Sequence, residues 1–160
     1  MIGRRQWAGF QSVLCPIDFS EDSRHALEYA AVVALDTKAR LHVLYVSDPL
    51  LVAAAAALRN RHIHDQSARE LQAFIDATLP PATRRRVALT ALVSAGNPAD
   101  QILKAAARQR ADLIVVGSHG ANAAKRLLVG STTLDLLQRA TVPVLAIPRR
   151  ARGPSRPRAR

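Results

Sequence analysis

Residues 112–133 read DLIVVGSHGANAAKRLLVGSTT, and this stretch decides how the rest of the sequence is interpreted. It begins with a short apolar run, Asp112–Gly117, of the kind that forms a strand buried on both faces of a sheet. After a loop that contains glycine, Ser131–Arg139 has the periodicity of a short helix. The stretch therefore predicts a strand, a loop and a helix in that order, which are consecutive parts of a β-α-β unit.

Four more short apolar runs lie outside this stretch: Ser12–Asp18, Arg40–Val46, Val87–Ser94 and Pro143–Ile147. Amphipathic segments separate them, and this alternation is typical of parallel strands joined by crossover helices. The sequence thus predicts an α/β fold, a single doubly wound (Rossmann-like) domain with a five-stranded parallel sheet and helices on both faces. The expected strand order is 3-2-1-4-5, which places a ligand-binding crevice at the ends of the first and fourth strands, marked by Asp18 and Gly117.

Polar residues at the predicted helix starts support this arrangement. Ser20 precedes a helix that we expect to end near Thr37. A second helix is expected over Ile63–Thr78, where a pair of prolines stops it. Asn97 caps a third helix that we expect to continue to about Arg110.

Length and charge indicate the domain organisation. The chain has 160 residues, 49% of them apolar, which suits one domain with its own core. We expect an N-terminal extension over residues 1–11, a folded domain over residues 12–148 and a disordered tail over residues 149–160. The tail holds six of the 23 basic residues and no acid, so the rest of the chain has a net charge of 17 − 12 = +5. The folded domain is therefore only mildly basic.

The cysteine, histidine and apolar residues argue against disulfide-bonded, metal-binding, membrane-spanning and secreted classes of protein. Cys15 is the single cysteine, so the chain forms no internal disulfide and no four-thiolate zinc site. His62 and His64 lack a third spaced ligand and lie beside two arginines, so we expect no metal site. No run of 18 apolar residues and no secretion signal are present, so we expect a cytoplasmic protein without a transmembrane segment.

The most informative spacing follows the predicted fourth strand. Gly117 and Gly120 are followed by nine residues and then by Gly130, Ser131 and Thr132 at a predicted helix start. Glycine lets a backbone turn and approach a ligand closely, and free N–H groups with hydroxyls at a helix N-terminus attract phosphate. The spacing differs from the P-loop and from the dinucleotide fingerprint. Two interpretations stay open: a phosphate cradle, or glycines that only form a turn beside a serine that only caps the helix.

This spacing matches a known family motif, G-x-x-G, nine residues, then G-[ST], at four positions: Gly117, Gly120, Gly130 and Ser131. In these residues the sequence resembles the ATP-binding branch of the universal stress protein family. Further segments that carry the resemblance are PIDFS at residues 16–20, LHVLYV at residues 41–46 and GNP at residues 96–98. The resemblance covers Ser12 to about Pro148 and implies that ATP is the bound cofactor.

The resemblance also implies roles for residues near the strand ends. Asp18 would bind the ribose or adenine side of the nucleotide, and the backbone around Pro16 and Ile17 would flank the base. Val43, in the second strand, would contact the adenine through its main chain. Asp18 has an alternative use, because its carboxylate can also cap the turn that follows it.

The loop and the last helix are assigned in the same way to the ribose and phosphates. Val116 and Gly117 would lie against the ribose. Gly120 and Gly130 would let the loop close on the phosphates. Three hydroxyl residues would donate hydrogen bonds to the phosphates: Ser131, Thr132 and Thr133. His119 lies in this loop, and two roles stay open for it, a hydrogen-bond donor or a histidine that takes no part in binding.

The implied function is that of an ATP-binding stress-response or signalling protein, a homodimer that pairs through the edge strand Pro143–Ile147. We expect ATP hydrolysis to be slow at most, because Asp18 is the only acid in the predicted crevice. Mg²⁺ would arrive with the nucleotide, held by phosphate oxygens and water. One alternative is a slow ATP hydrolase or a nucleotidyl-transfer enzyme of the same adenine-nucleotide α/β group.

A second alternative is an interaction protein that uses the tail Arg149–Arg160 to contact nucleic acid or an anionic surface. The tail contains no aromatic residue on which a base could stack. Binding to nucleic acid would therefore be weak, directed at the backbone and strongly salt-dependent, and we do not favour it.

Overall fold

A computed structural model describes residues 9–48, 50, 53, 63–119 and 129–148. Five strands lie in these ranges: β1 (Ser12–Ile17), β2 (Arg40–Ser47), β3 (Ala88–Ala95), β4 (Leu113–Gly117) and β5 (Val144–Ile147). The helices described there are α1 (Glu21–Thr37), α2 (Ile63–Thr78), α3 (Pro81–Arg86), α4 (Pro98–Arg108) and α5 (Ser131–Arg139). Gly120 and the tail, residues 149–160, lie outside the described residues.

The strands form one parallel sheet in the order β3-β2-β1-β4-β5, which confirms the expected order 3-2-1-4-5. The register pairs Val13 of β1 with Leu41 of β2 on one side and with Leu113 of β4 on the other. The chain reverses its winding direction at β1 and β4, so the carboxyl ends of these two strands open a crevice.

Helices cover both faces of the sheet, as expected for a doubly wound fold. On one face α1 and α2 pack against the sheet, and α1 contributes small residues such as Ala26, Ala30 and Ala34. Small side chains bring the axis of α1 close to β1 and β4, so backbone atoms of the helix and strand approach each other. On the other face α4 and α5 contribute Ile102 and Leu136 to a second apolar cluster.

One helix differs from the expectation. The proline pair does end α2, but Pro81 then begins α3, which the sequence did not predict. A proline at the first helical position loses no hydrogen bond, because the N–H it lacks has no intrahelical partner. The proline pair therefore ends α2 and also begins α3.

The helix starts nearest the crevice differ in how they are capped. At α1 the hydroxyl of Ser20 accepts a hydrogen bond from the Ser23 N–H at 3.2 Å. At α4 the side chain of Asn97 accepts one from the Asp100 N–H at 3.1 Å. The residue before α5 is Gly130, which has no side chain to serve as a cap. Of the three, only α5 has a first turn that no cap side chain satisfies.

Candidate functional site

A cavity of about 380 Å³ opens at the carboxyl ends of β1 and β4. We call it the cleft. Ten of the twelve residues that the sequence assigned to a binding site line it: Pro16, Ile17, Asp18, Val116, Gly117, His119, Gly130, Ser131, Thr132 and Thr133. The topology explains this, because residues far apart in sequence meet wherever adjacent parallel strands end.

The first turn of α5 contains N–H groups that have no hydrogen-bond partner among the described residues. The first hydrogen bond inside the helix runs from the Leu134 N–H to the Gly130 carbonyl at 2.9 Å, so the N–H groups of Ser131–Thr133 precede it. The Gly130 N–H itself donates to the Ser118 carbonyl at 2.9 Å, which fixes the start of α5 to the end of β4. Three free N–H groups at the positive end of a helix form a site for an anion.

Thr133 differs from the two hydroxyl residues before it. Its Oγ1 donates a hydrogen bond of 2.8 Å to the carbonyl oxygen of Gly117, and the residue is buried. The hydroxyl proton that the resemblance assigned to a phosphate is therefore used to hold α5 against β4. Only the backbone N–H of Thr133 stays available for a ligand, beside the N–H groups and hydroxyls of Ser131 and Thr132.

The carboxylate of Asp18 stabilises its own turn. Its Oδ1 accepts hydrogen bonds from the Ser20 N–H at 3.1 Å and from the Ser20 hydroxyl at 2.5 Å. This is the turn-capping use that the sequence left open, and it holds the entry to α1 in place. Asp18 also lines the cleft, so a contact with a ligand stays a prediction.

Gly117 is required by packing. A Cβ atom built on Gly117 would lie 2.8 Å from the carbonyl carbon of Asp22 and 2.9 Å from its Cβ. Both atoms belong to the first turn of α1, so the helix itself closes off the space for a side chain. The motif offered two reasons for this glycine, the approach of a ligand or a turn, whereas the geometry shows a third, the close contact between α1 and β4.

A polar cluster of Asp22, Ser118 and His119 joins the same two elements. The backbone N–H of His119 donates to Asp22 Oδ2 at 3.1 Å, and the imidazole Nδ1 lies 3.2 Å from that oxygen. The hydroxyl of Ser118 lies 2.7 Å from the same Nδ1. The Asp22 side chain is only 6% exposed, whereas that of His119 is 25% exposed and reaches the cleft. A buried carboxylate thus fixes the position of an imidazole that lines the cleft.

The sequence profile of the universal stress protein family matches residues 9–148. The chain belongs to this family. A curated relative, universal stress protein YxiE of Bacillus subtilis (strain 168), is 28% identical over 146 residues, which cover 86% of this chain and 99% of YxiE.

Two solved structures share the universal stress protein fold. One is a universal stress protein in complex with cAMP, 23% identical, with a TM-score of 0.62 over 88% of this chain and 98% of that one. The other is the universal stress protein of Archaeoglobus fulgidus in complex with dAMP, 18% identical, with a TM-score of 0.62 over 86% of this chain and 97% of that one. Both relatives therefore hold adenine nucleotides on this fold.

One residue assigned from the family resemblance does not lie at the cleft of this universal stress protein. Val43 is completely buried in the apolar cluster beneath α1 and does not line the cavity. Val46, three residues further along β2, does line it. The topology explains the position of Val46, because a ligand at the carboxyl ends of the strands meets the last residues of β2, which ends at Ser47; a main-chain contact between Val43 and adenine stays a prediction.

Sequence reasoning missed three other residues that line the cleft: Ser23, Pro98 and Ile102. The sequence contained a signal for two of them. Pro98 and Ile102 are four residues apart in α4, so they share one helix face, and α4 begins next to the end of β3. No comparable pattern marks Ser23.

Among the described residues, no group of three histidine, cysteine or acidic side chains is placed to hold a metal ion. The side chains of His62 and His64 lie outside the described part of the chain. Within that part, too, no helix has the length and the apolar character needed to cross a bilayer.

Proposed function

We propose that this universal stress protein binds ATP in the cleft, with the phosphates at the start of α5, and acts as a nucleotide-dependent stress-response or signalling protein. The observation that carries the proposal is the difference in capping at the cleft. Ser20 and Asn97 satisfy the first turns of α1 and α4, whereas the first turn of α5 has no cap side chain. An anion would be held where the N–H groups are free.

The lining of the cleft suits the rest of an adenine nucleotide. Apolar side chains supply part of the lining: Pro16, Ile17, Val46, Ile102 and Val116. A planar base would bury its faces against such a surface, since ligand sites combine an apolar lining with a few placed polar groups. The relatives in complex with cAMP and dAMP support an adenine nucleotide as the ligand class.

The small number of carboxylates at the cleft favours nucleotide binding over ATP hydrolysis. Among the described residues that line the cleft, Asp18 is the only carboxylate, and it already accepts two hydrogen bonds within its own turn. Efficient hydrolysis needs a group that orients the attacking water and others that stabilise the transferring phosphoryl group. Hydrolysis would therefore be slow, and Mg²⁺ would enter with the triphosphate.

The proposal includes a homodimer that pairs through β5. This strand ends the sheet, and its Leu145 is 39% exposed although it is a large apolar residue. Leu134 and Leu137, one turn apart on α5, are 47% and 49% exposed beside the same edge. Covering an open strand edge together with an apolar helix face would remove both from water. The single cysteine, buried in β1, agrees with a reducing compartment such as the cytoplasm.

Calorimetric titration with ATP, ADP and AMP, with and without Mg²⁺, tests nucleotide binding. The informative variant is Ser131→Glu, because a carboxylate at a helix N-terminus preserves the helix but repels a phosphate at that place. We expect micromolar ATP binding by the native chain and a loss of about tenfold or more in the variant, the effect of about 1.4 kcal/mol of repulsion.

The matched control is Gln138→Glu, which adds the same charge at the exposed far end of α5. It should bind ATP as the native chain does. Absence of nucleotide binding, by calorimetry and by a second assay, would refute the proposed function. Equal ATP affinity of Ser131→Glu and the native chain would show that the phosphates lie elsewhere.

A further inference from the structure

The polar cluster of Asp22, Ser118 and His119 determines where the proton of the imidazole lies. Asp22 is an ionisable group that, as a carboxylate, can only accept hydrogen bonds. Its Oδ2 lies 3.2 Å from the imidazole Nδ1, so the arrangement is favourable when Nδ1 carries the proton. The opposite tautomer would direct a nitrogen lone pair at a buried carboxylate oxygen. The Ser118 hydroxyl donates to Asp22 Oδ2 at 3.5 Å, so its oxygen acts as the acceptor in the 2.7 Å contact with Nδ1.

The same argument determines the chemical character of Nε2. An imidazole with a single proton carries it on one nitrogen only, and the other nitrogen is then an acceptor. With the proton on Nδ1, a neutral His119 has a bare lone pair on Nε2. Nδ1 is engaged by Asp22 and Ser118, so Nε2 is the nitrogen of this cleft-lining ring that can meet a ligand.

An anionic ligand and a bare lone pair repel each other. A phosphate oxygen can approach Nε2 favourably only if that nitrogen also carries a proton, which makes His119 an imidazolium ion. The buried Asp22 carboxylate stabilises such a cation from the opposite side of the ring. Receiving a phosphate at His119 therefore requires one proton to move from the solvent to Nε2.

We propose that Asp22 is a positioning residue that couples the binding of nucleotide phosphates to the uptake of a proton by His119. This inference rests on the proposed nucleotide-binding function and adds a regulatory property to it. Binding of ATP becomes tighter as the pH falls, while binding of adenosine, which has no phosphate, does not change. The bound state of the protein thus responds to pH as well as to nucleotide concentration.

The charged groups around His119 are few among the described residues. From α1 the ring meets Asp22, and from the end of β1 the cleft receives Asp18. The first turn of α5 contributes hydroxyl and N–H groups without an ionisable side chain, and α4 contributes Pro98 and Ile102. His119 is accordingly the only described basic side chain that lines the cleft, so its protonation changes the charge there by one unit.

Calorimetric titration of the full chain with ATP measures this proton directly, when it is repeated at one pH in two buffers of different ionisation enthalpy. At pH 7.5 we expect the native chain to take up as much as about one proton more per ATP than Asp22→Asn does. In that variant the amide oxygen keeps the hydrogen bond from the His119 N–H, but the negative charge that stabilises an imidazolium ion is gone, so the phosphate no longer brings a proton to Nε2. The terminal phosphate of ATP titrates as well, but it contributes equally to both proteins.

The pH profile of ATP affinity provides a second readout that a purely structural role of Asp22 would not change. Uptake of one proton limits the fall in native affinity to about tenfold for each unit by which the pH is raised, and the profile of Asp22→Asn should be nearly flat. The matched control is Asp36→Asn, which removes an exposed carboxylate from the far end of the same helix, about 21 Å away at 1.5 Å per residue. It should keep the native profile.

His119→Gln provides a second test of the same inference if Asp22→Asn does not fold. Glutamine can donate to a phosphate but does not titrate, so ATP should still bind with a flattened pH profile. Equal proton uptake and equal pH profiles in the native chain and a folded variant would overturn the inference while leaving nucleotide binding intact. Failure of the native chain to bind either ATP or adenosine would instead overturn the proposed function, and the inference with it.

Discussion

Replacing Gly117 with alanine separates two explanations for this glycine. If the close packing of α1 on β4 requires it, Gly117→Ala destabilises the fold whether or not a nucleotide is present. If the approach of a ligand requires it, the variant folds normally and loses only binding. The structure favours packing, because the new Cβ would lie 2.8 Å and 2.9 Å from carbon atoms of Asp22.

The size of the effect follows from these distances. Non-bonded carbon atoms are most stable at about 3.5–4.0 Å, so the added methyl group overlaps the first turn of α1 by roughly 0.6 Å or more. The overlapped atoms include a backbone carbonyl carbon, which cannot rotate away as the end of a long side chain would. Overpacking of this kind costs about 1–3 kcal/mol, and backbone contact places the expected loss near 3 kcal/mol.

Urea denaturation followed by circular dichroism measures this loss, and thermal unfolding should show a midpoint lowered by about 6–12 °C. Ala88→Val is the control, because it adds bulk at an exposed strand position and should change stability by less than about 0.5 kcal/mol. A Gly117→Ala variant with native stability and no ATP binding would refute the packing argument and support the role in ligand approach.

Four further outcomes are expected. Thr133→Val removes the buried hydrogen bond to the Gly117 carbonyl and should lower the free energy of unfolding by about 1–2 kcal/mol in urea denaturation, whereas Thr133→Ser should retain most of it. Asn97→Ala removes the cap of α4 and should cost about 1 kcal/mol by the same measurement. Burial, and secondarily the positive charge of Arg40, lower the pKa of His42 from 6.5, so the unfolded chain binds more protons than the folded one below that pH. Stability should therefore fall as the pH is lowered through about 6.5. His42→Leu should weaken this dependence in denaturation curves recorded from pH 8 to pH 5. Both ring nitrogens of His42 lack a hydrogen-bond partner among the described residues, so the substitution removes no hydrogen bond there. Leu145→Lys should halve the mass measured by light scattering, and a dimer that persists in this variant would argue against pairing through β5.

Much of the fold could be predicted because periodicity and caps report on local structure. Buried parallel strands are continuous apolar runs, and all five strands lie within one residue of the predicted limits. Ser20 and Asn97 identified two helix starts through hydroxyl and amide side chains that the structure shows accepting backbone N–H groups. The helix α3 was missed because a proline is compatible both with the end of one helix and with the first position of another.

The cleft lining was predicted less completely, for a different physical reason. A motif identifies which residues converge, but it contains no information on which partner each side chain meets. The Thr133 hydroxyl bonds to Gly117, and the space beside Gly117 is closed by Asp22, a residue 95 positions earlier in the chain. Contacts of this kind depend on the distance between a helix and a strand, which the sequence does not contain in any local pattern.

The hydrogen bond between the Gly130 N–H and the Ser118 carbonyl has a practical consequence for protein engineering. It joins the two ends of the connection between β4 and α5, so the framework of the sheet holds the first turn of α5 in place. The closure entropy of a loop rises by only about 0.6 kcal/mol when its length doubles. A residue inserted between Ser118 and Gly130 would therefore change the free energy of unfolding little, whereas it would alter the spacing on which the proposed phosphate contacts depend. Stability and nucleotide binding should thus respond separately to the length of this connection.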